Sequence, residues 1–190
     1  MEVNALPSAP LVQRRATEPD EALVAAARAE PREFLALYDR YFDRVLGYVR
    51  LRIREEATCE DVTSVVFTKA LEHLGRFRGQ GSFAGWLFQI ARNAVRDVQR
   101  QREAEPLVDD RPANGPSPVE SALQRERARE LHDVIRQLRS EQQHLLALRY
   151  GAGLGYDEIG VALGITPATV RVRAHRILEE LRRRYPHDTD

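Results

Sequence analysis

The chain has 190 residues, of which 43% are hydrophobic and 31% are charged, and its formal net charge is zero. This composition excludes a disordered chain, and the length suits one domain or two small ones. The single cysteine, Cys59, excludes an internal disulfide and a zinc site built from cysteines. No apolar run approaches the ~20 residues of a membrane span, and the first residues do not form a signal peptide. We therefore expect a cytoplasmic protein without membrane insertion.

Arginines are concentrated in two segments of the chain. Residues 76–102 contain six arginines against one acidic residue, and residues 171–184 contain six arginines against two glutamates. Residues 103–123, which lie between them, are acidic. Two basic segments around an acidic connector predict an anionic partner that is bound at two places. Lys69 is the single lysine, and the preference for arginine suits phosphate and guanine recognition, although a GC-rich genome would produce the same preference.

The first predicted elements are a flexible tail and two helices. Residues 1–18 contain two prolines and little periodicity, which predicts the tail. A short helix is predicted over residues 19–29, and Pro31 opens a longer helix, to residue 53, at a position where its missing N–H costs nothing. Leu35 belongs to the stripe predicted to be buried. Asp39 and Asp43 lie one turn apart on this helix; because arginines alternate with them, a solvated face of ion pairs is favoured over a catalytic or metal-binding pair.

Two further helices complete a first domain, which is predicted to span residues 19–103. In the helix of residues 58–74, Thr58 and Asp61 have the spacing of a capping box, and Val65 is placed on the buried face. Ser82 is predicted to cap the helix of residues 82–102. A glycine-rich loop with arginines and two aromatic side chains precedes Ser82.

The fourth predicted helix combines an apolar face with a polar one. The apolar face, with Trp86 and Leu87 near its start, has helical spacing and predicts packing on a core. The polar face carries amides and guanidiniums, which are the groups that hydrogen-bond to base edges and phosphates. Its members are Gln89, Asn93, Arg96 and Arg100. The alternative interpretation of this segment is a solvated amphipathic helix with no partner.

A linker and a second domain are predicted to follow. Residues 104–118 are rich in proline and acidic side chains and show no amphipathic pattern, which predicts a flexible linker. Residues 119–185 return to helical periodicity and are predicted to form the second domain, with residues 186–190 as a tail. Ser140 with Gln143 resembles another capping box. Since no strand pattern occurs, the predicted fold is all-α, with two small helical domains.

Residues 156–181, YDEIGVALGITPATVRVRAHRILEEL, carry the most specific pattern. A short helix ends at Gly164, Thr166 caps a second helix, and Gly160 permits close packing of the two. A helix, a tight turn with glycine and a second helix form a helix-turn-helix unit, whose second helix enters the major groove of DNA. Arg171 is one of the arginines that can bind guanine through two hydrogen bonds. The alternative is an ordinary helical hairpin with a basic surface.

Nothing in the sequence predicts an enzyme, a cofactor or a metal site. The five histidines are scattered, and His175 has no His, Cys or Asp at the spacing of metal ligands beside it. No nucleophile–base pattern, HExxH motif or phosphate-binding glycine loop occurs. We therefore expect a binding protein.

Four segments together resemble bacterial sigma factors of the extracytoplasmic-function (ECF) group, in the sigma-70 family. They are FLALYDRYFDRVLGYV, CEDVTSVVFTKALEHL, FRGQGSFAGWLFQIARNAVRDVQRQR and the C-terminal helix-turn-helix. The resemblance covers about residues 21–102 and 120–185, which would correspond to sigma domains 2 and 4. It implies a protein that binds core RNA polymerase and directs it to promoter DNA, with an anti-sigma factor as a further candidate partner.

The resemblance also implies three sets of contact residues. Domain 2 would capture a flipped base of the −10 element and face the DNA strand through Phe77, Arg78, Gln80, Ser82, Phe83, Gln89, Asn93, Arg96, Asp97 and Arg100. Domain 4 would recognise the −35 element through Thr166, Ala168, Thr169, Arg171, Val172, His175 and Arg176. The polymerase would be contacted through Asp43, Glu60 and Asp61. Strand opening would use binding energy alone, since unpairing a base costs a few kcal/mol that stacking and backbone contacts offset.

The chain departs from the family pattern at three places. Ser64-Val65 replaces a usual Gln-Glu, so the resemblance does not carry one polar contact to the polymerase over to these positions. Val172 replaces a common serine and can contact a thymine methyl but cannot hydrogen-bond. Ala84-Gly85-Trp86 replaces Arg-Thr-Trp, and the glycine loosens the start of that helix by up to ~1 kcal/mol.

Two other classes of protein remain open. One is a stand-alone helix-turn-helix regulator, whose N-terminal lobe senses a ligand or dimerises and which binds duplex DNA without polymerase. The other is a helical adaptor with no role on DNA, which fits two basic helices poorly. The loop before Ser82 favours the sigma factor, because a protein that recognises duplex DNA would not need it.

Overall fold

The computed structural model describes residues 18–77, 82–104, 126, 130 and 132–184. Within them every regular element is helical, which confirms the all-α prediction. The N-terminal lobe contains α1 (Asp20–Ala29), a 3-10 turn (Pro31–Glu33), α2 (Phe34–Arg50), α3 (Glu56–His73), a second 3-10 turn (Leu74–Arg76) and α4 (Phe83–Ala104). The C-terminal lobe contains helical residues 132–136, α5 (Ser140–Leu146), a π-helical turn (Ala147–Gly151), α6 (Tyr156–Leu163) and α7 (Pro167–Arg184). Nearly all of the predicted tails and of the predicted linker lies outside the described residues.

The core of the N-terminal lobe lies among α2, α3 and α4, with α1 packed across α2. Leu37, Val66 and Leu87 are fully buried there, one from each of these helices. Leu35 and Val65, both predicted to be inward, are instead 62% and 43% exposed. Each lies one residue away from a position on the buried stripe, and a step of one residue turns a side chain by about 100° around a helix. None of the helices in the described part of the chain combines the length and the hydropathy that a membrane span requires.

The start of α4 agrees with the sequence prediction, whereas the starts of α3 and α5 differ from it. The Gly85 backbone N–H donates to the Ser82 hydroxyl at 3.0 Å, so the predicted cap is confirmed. The prediction for Thr58 was wrong, because α3 begins at Glu56 and the Thr58 hydroxyl donates to the carboxylate of Glu55 at 2.8 Å.

The cap of α5 is displaced by one residue from the prediction. The Gln142 side chain, rather than that of Gln143, accepts from the Arg139 backbone N–H at 3.0 Å. Ser140 is therefore the first residue of the helix, not its cap.

The predicted helix-turn-helix is present in the C-terminal lobe. Gly164 ends α6 with φ 67°, the left-handed conformation that glycine adopts without strain. The Thr169 backbone N–H donates to the Thr166 hydroxyl at 3.2 Å, which confirms the cap of α7. A Cβ on Gly160 would lie 2.8 Å from the carbonyl oxygen of Ile165, so the glycine allows close approach of the turn to α6.

The two lobes pack directly against each other. Helix α2 lies against the π-helical turn, and α4 lies against α6. Backbones touch where Gly47 of α2 meets Gly151, since a Cβ on Gly151 would lie 2.5 Å from the Gly47 carbonyl oxygen. At the second contact, a Cβ on Gly85 would lie 2.9 Å from the Cα of Ala162. Three glycines thus permit an interface that side chains at these positions would block.

Both ends of the segment that connects the lobes are held at one place. Near the end of α4, Arg102 pairs with Glu55 at 2.7 Å. Where the chain returns, Nε2 of His132 lies 2.6 Å from the carbonyl oxygen of Arg50, and Asp133 pairs with Arg54 at 2.6 Å. The intervening chain therefore begins and ends beside residues 50–55.

Candidate nucleic-acid interfaces

Helix α7 separates its buried and exposed residues cleanly. Val170, Ala174 and Ile177 are buried against the C-terminal lobe. The side chains predicted to contact DNA lie on the opposite side or at its edge: Ala168, Arg171, Val172, His175 and Arg176 are exposed, as is Thr166 before the helix, while Thr169 is half-buried. The structure thus brings the predicted residues together on one accessible face of α7.

Neighbouring side chains hold parts of this face in position. The Arg171 guanidinium carbon lies 5.4 Å from the centroid of the Tyr156 ring, an arrangement that orients the arginine through a cation–π contact. Nδ1 of His175 lies 3.5 Å from the Glu179 carboxylate. The hydroxyls of Thr166 and Thr169 lie 2.8 Å apart and hydrogen-bond to each other.

Helix α4 presents a second polar face on the N-terminal lobe. Gln89, Asn93, Arg96, Asp97 and Arg100 are all exposed, and they follow one another at helical spacing. Lys69 of α3 lies 3.8 Å from the Asp97 carboxylate, so this single acidic residue of the face is partly neutralised. The remaining groups are amides and guanidiniums, as the sequence predicted.

The aromatic side chains at the ends of the loop before α4 occupy a different place from the one predicted. Phe77 is 8% and Phe83 is 2% exposed. Their rings lie 5.9 Å apart, edge to face, and both contact Trp86. Buried in this way, they hold the ends of the loop and present no face on which a base could stack. Arg78 and Gln80 lie outside the described residues, and Ser82 is half-buried with its hydroxyl engaged as the cap of α4.

Helix α3 carries an exposed face that is both acidic and apolar. Glu60 and Asp61 lie on it, and Val65 and Leu71, which are 43% and 44% exposed, continue it towards the end of the helix. Asp43, the third predicted polymerase contact, is exposed on α2. A mixed surface of carboxylates and aliphatic side chains suits a protein partner better than DNA.

A buried polar cluster at the junction of the lobes was not predicted. The Tyr48 hydroxyl lies 2.8 Å from Nδ1 of His144, and Nη1 of Arg52 donates to the same hydroxyl at 3.4 Å. Burial lowers the pKa of His144 to about 3, with the charges of Arg92 and Arg52 adding to the effect. Burial likewise raises the pKa of Tyr48 to about 12, so this pair is neutral at physiological pH. No local pattern signals the cluster, because its members come from both lobes.

Comparison with known protein families gives two matches along the chain. Models of Sigma-70 region 2 and Sigma-70 region 4 match residues 37–105 and 128–181. The first match contains α4, and the second contains the helix-turn-helix. The chain is thus built from two modules of bacterial transcription initiation proteins.

Individual proteins similar to the chain identify the group within this class. The ECF RNA polymerase sigma factor BldN of Streptomyces coelicolor is 35% identical over 188 residues, which cover 93% of this chain and 71% of that protein. The RNA polymerase sigma factor CarQ of Myxococcus xanthus is 33% identical over 155 residues, with coverage of 78% and 87%. The chain belongs to the sigma-70 family of RNA polymerase sigma factors, in its ECF group.

A solved structure supports the fold. CnrH, in its complex with the cytosolic domain of CnrY, matches with a TM-score of 0.68 at 22% identity, over 90% of this chain and 100% of that one. At this identity the likeness concerns the arrangement of helices.

Proposed function

We propose that this chain binds core RNA polymerase and directs it to promoters by contacting DNA at two separate places. The observation that carries the proposal is the pair of exposed polar faces on α4 and α7, one in each lobe. Two faces on different lobes suit two elements on one promoter better than a single operator site.

Helix α7 supplies the contacts to the −35 element. Its exposed face enters the major groove, where Arg171 and Arg176 can each bind guanine through two hydrogen bonds. Val172 is 50% exposed and can contact a thymine methyl group. Thr166 and Thr169, at the start of the helix, lie nearer the phosphates.

Helix α4 and the loop before it supply the contacts to the −10 element. Asn93, Arg96 and Arg100 face the strand or its upstream duplex. Arg78 and Gln80 contact the flipped base, and the buried Phe77 and Phe83 anchor the two ends of the loop instead of stacking on the base. Strand opening then uses binding energy alone, so the chain acts without an enzymatic step of its own.

The exposed face of α3 supplies contacts to the polymerase. Glu60 and Asp61 contribute charge, and Asp43 of α2 adds a third carboxylate. Val65, at a position where the family usually has glutamate, offers an apolar contact in place of a polar one. We place the protein in the cytoplasm, where the polymerase acts, and include an anti-sigma factor among its candidate partners.

Run-off transcription with purified core RNA polymerase and a library of promoter fragments tests the proposal. Specific transcripts that appear only when the protein is added are the expected result, and their start sites identify both promoter elements. Absence of transcripts and of co-elution with core enzyme, together with tight binding to duplex DNA, would instead indicate a stand-alone regulator.

A further inference from the structure

In the structure the two lobes pack directly against each other, and we call this arrangement the docked form. It places the two proposed DNA-contacting faces close together. Gly85, at the start of α4, contacts Ala162 of α6, and Gly160 of the same helix contacts Pro167, the first residue of α7. Summing these contacts puts the starts of α4 and α7 within roughly 15 Å of each other. At about 1.5 Å per residue along each helix, the farthest DNA-contacting residues of the two faces are separated by roughly 50 Å at most.

A promoter requires a larger separation. Elements centred about 25 base pairs apart lie roughly 85 Å apart along B-DNA, at about 3.4 Å per base pair. The docked form therefore cannot place α4 and α7 on both elements at once. If the proposed function holds, on which this step rests, the C-terminal lobe must leave the N-terminal lobe before both elements are bound.

Two arginines lie next to His144 of the C-terminal lobe and beside the proposed −10 face. The Tyr48 hydroxyl accepts from Arg52 at 3.4 Å and lies 2.8 Å from Nδ1 of His144, and the charges of Arg52 and Arg92 both act on that imidazole. Arg52 is 5% exposed, and its Nε and Nη2 atoms are buried without a hydrogen-bond partner. Arg92 is half-buried and its Nε is likewise unpartnered. Among the described residues, no carboxylate pairs with either guanidinium. Arg92 lies on α4 one turn before Arg96, so the covered surface is continuous with the exposed one.

The electrostatics of this cluster oppose docking. Burial lowers the pKa of Arg52, and the neighbouring charges of Arg92 and Arg96 lower it further, partly opposed by Tyr48. A buried charge without an opposite charge is costly, and like charges nearby add to the cost. Other contacts between the lobes favour docking: Arg44 pairs with Glu158 at 2.8 Å and donates to the Ala152 carbonyl oxygen at 3.2 Å. The docked form thus buries the guanidiniums of Arg52 and Arg92 without an opposite charge, and an anionic ligand would stabilise them.

We propose that Arg52 and Arg92 form a second surface for DNA phosphates, which the docked C-terminal lobe covers and which undocking exposes. Docking and DNA then compete for the same side of the N-terminal lobe. The glycine at position 85 permits this competition, because a Cβ there would lie 2.9 Å from the Cα of Ala162 in α6 and would hinder docking.

Two substitutions that add a methyl group between the lobes, which we call wedge variants, test the proposal without changing either arginine. Gly47→Ala and Gly151→Ala each place a Cβ against the backbone of the opposite lobe, and neither glycine has a positive φ that alanine would strain. Gly75→Ala is the matched control, since a Cβ there meets nothing within 4 Å. We expect both wedge variants to show a larger radius of gyration by small-angle X-ray scattering, while the control stays compact.

DNA binding is measured on the same full-length proteins by fluorescence anisotropy. The probe is a labelled mixed-sequence single strand of about 20 nucleotides, titrated at several salt concentrations without polymerase. We expect the wedge variants to bind several-fold more tightly than the wild type. Adding Arg52→Gln or Arg92→Gln to Gly47→Ala should remove most of the gain and reduce the salt slope by about 0.7 per arginine. Adding Arg32→Gln, at an exposed arginine of the N-terminal lobe, should leave both the gain in affinity and the salt slope unchanged.

Three results would overturn the proposal. The first is that the wedge variants have the same radius of gyration as the wild type. The second is that their radius of gyration grows without a gain in affinity for the single strand. The third is that the gain in affinity survives Arg52→Gln and Arg92→Gln. Because this assay contains neither polymerase nor promoter, its failure is distinct from failure of the run-off assay. Transcripts without a wedge effect would support the sigma function alone.

Discussion

At the scale of single residues, His144 links the two lobes as a neutral acceptor. Arg52 donates to the Tyr48 oxygen, which leaves the Tyr48 O–H to donate to Nδ1 of His144. A protonated His144 could not accept this hydrogen bond, and it would face the positive charges of Arg52 and Arg92. The arrangement therefore requires an unprotonated imidazole.

We predict that acid favours undocking through His144. The docked pKa is about 3 and the ordinary value is 6.5, so the stabilisation is complete above pH 6.5 and is lost as the pH falls towards 3. The loss approaches about 1.4 kcal/mol per pH unit within that range. Scattering measurements from about pH 7.5 to about pH 5 should show a growing radius of gyration.

The matched variants for this experiment are His144→Gln, which keeps an acceptor without titrating, and His132→Gln at the other interfacial histidine. Glu158 does not interfere in this range: burial raises its pKa, but hydrogen bonds from Arg44 and Gly155 outweigh that effect and leave the value lowered. A pH response that persists in His144→Gln would contradict the assignment.

Substitutions at Asn93 and Arg176 test the proposed division between DNA contacts, on α4 and α7, and polymerase contacts, on α3. We predict that Asn93→Ala and Arg176→Ala each reduce promoter-specific transcription, by an amount corresponding to ~1–3 kcal/mol for a lost base contact. Both side chains are exposed, so stability should not change. Run-off transcription and co-elution with core enzyme provide the readouts, and loss of core binding in either variant would refute the division.

At the scale of elements, the contact between α6 and the turn before α7 fixes the position of α7. We predict that Gly160→Ala destabilises the protein by ~1–3 kcal/mol, because its Cβ meets the Ile165 carbonyl oxygen and lies 3.3 Å from the Pro167 nitrogen, both backbone atoms. Thermal unfolding followed by circular dichroism measures the change. Gly75→Ala serves again as control, and equal stability of the two variants would disprove the packing role.

The exposed face of α3 makes a separate prediction for polymerase binding. Asp61→Arg reverses the charge of an exposed side chain, so we expect unchanged thermal stability and roughly tenfold or greater loss of affinity for core enzyme. Glu21→Arg, an equal charge change on the exposed side of α1, should bind normally. Equal affinity of the two variants for core enzyme in a labelled-protein titration would displace the interface from α3.

At the scale of the whole molecule, the connecting segment must serve both docked and extended forms. Its ends lie beside the same residues, 50–55, so the docked form needs little of its length. Residues 105–125 could span up to about 70 Å when extended, which with the lobes themselves covers the promoter distance. The length of the connecting segment therefore determines how far apart the two lobes can bind on DNA, and the packing of the lobes does not depend on it.

We therefore predict that deleting residues 107–116 reduces transcription while preserving compactness and core binding. The deletion removes up to about 35 Å of reach and leaves both anchored ends in place. A Gly/Ser segment of equal length should restore transcription, which would also show that the acidic charge is dispensable. Full activity of the shortened protein in run-off assays would contradict the requirement for reach.

The sequence by itself determined the helices, the helix-turn-helix and the family, because these depend on local periodicity, capping and turn residues. Thr166, Gly164 and Ser82 behave as their local patterns predicted. Errors arose where burial depends on a neighbouring element: Leu35 and Val65 are apolar yet exposed, since a step of one residue from the buried stripe faces solvent.

Only the tertiary structure decided which predicted side chains are accessible and how the lobes meet. Phe77 and Phe83 lie in an aromatic core that brings together residues distant from the loop pattern. The contact of Gly47 with Gly151 and that of Tyr48 with His144 each join residues about a hundred positions apart. No local period encodes such pairs, because their energies depend on two surfaces meeting and not on the order of neighbouring residues.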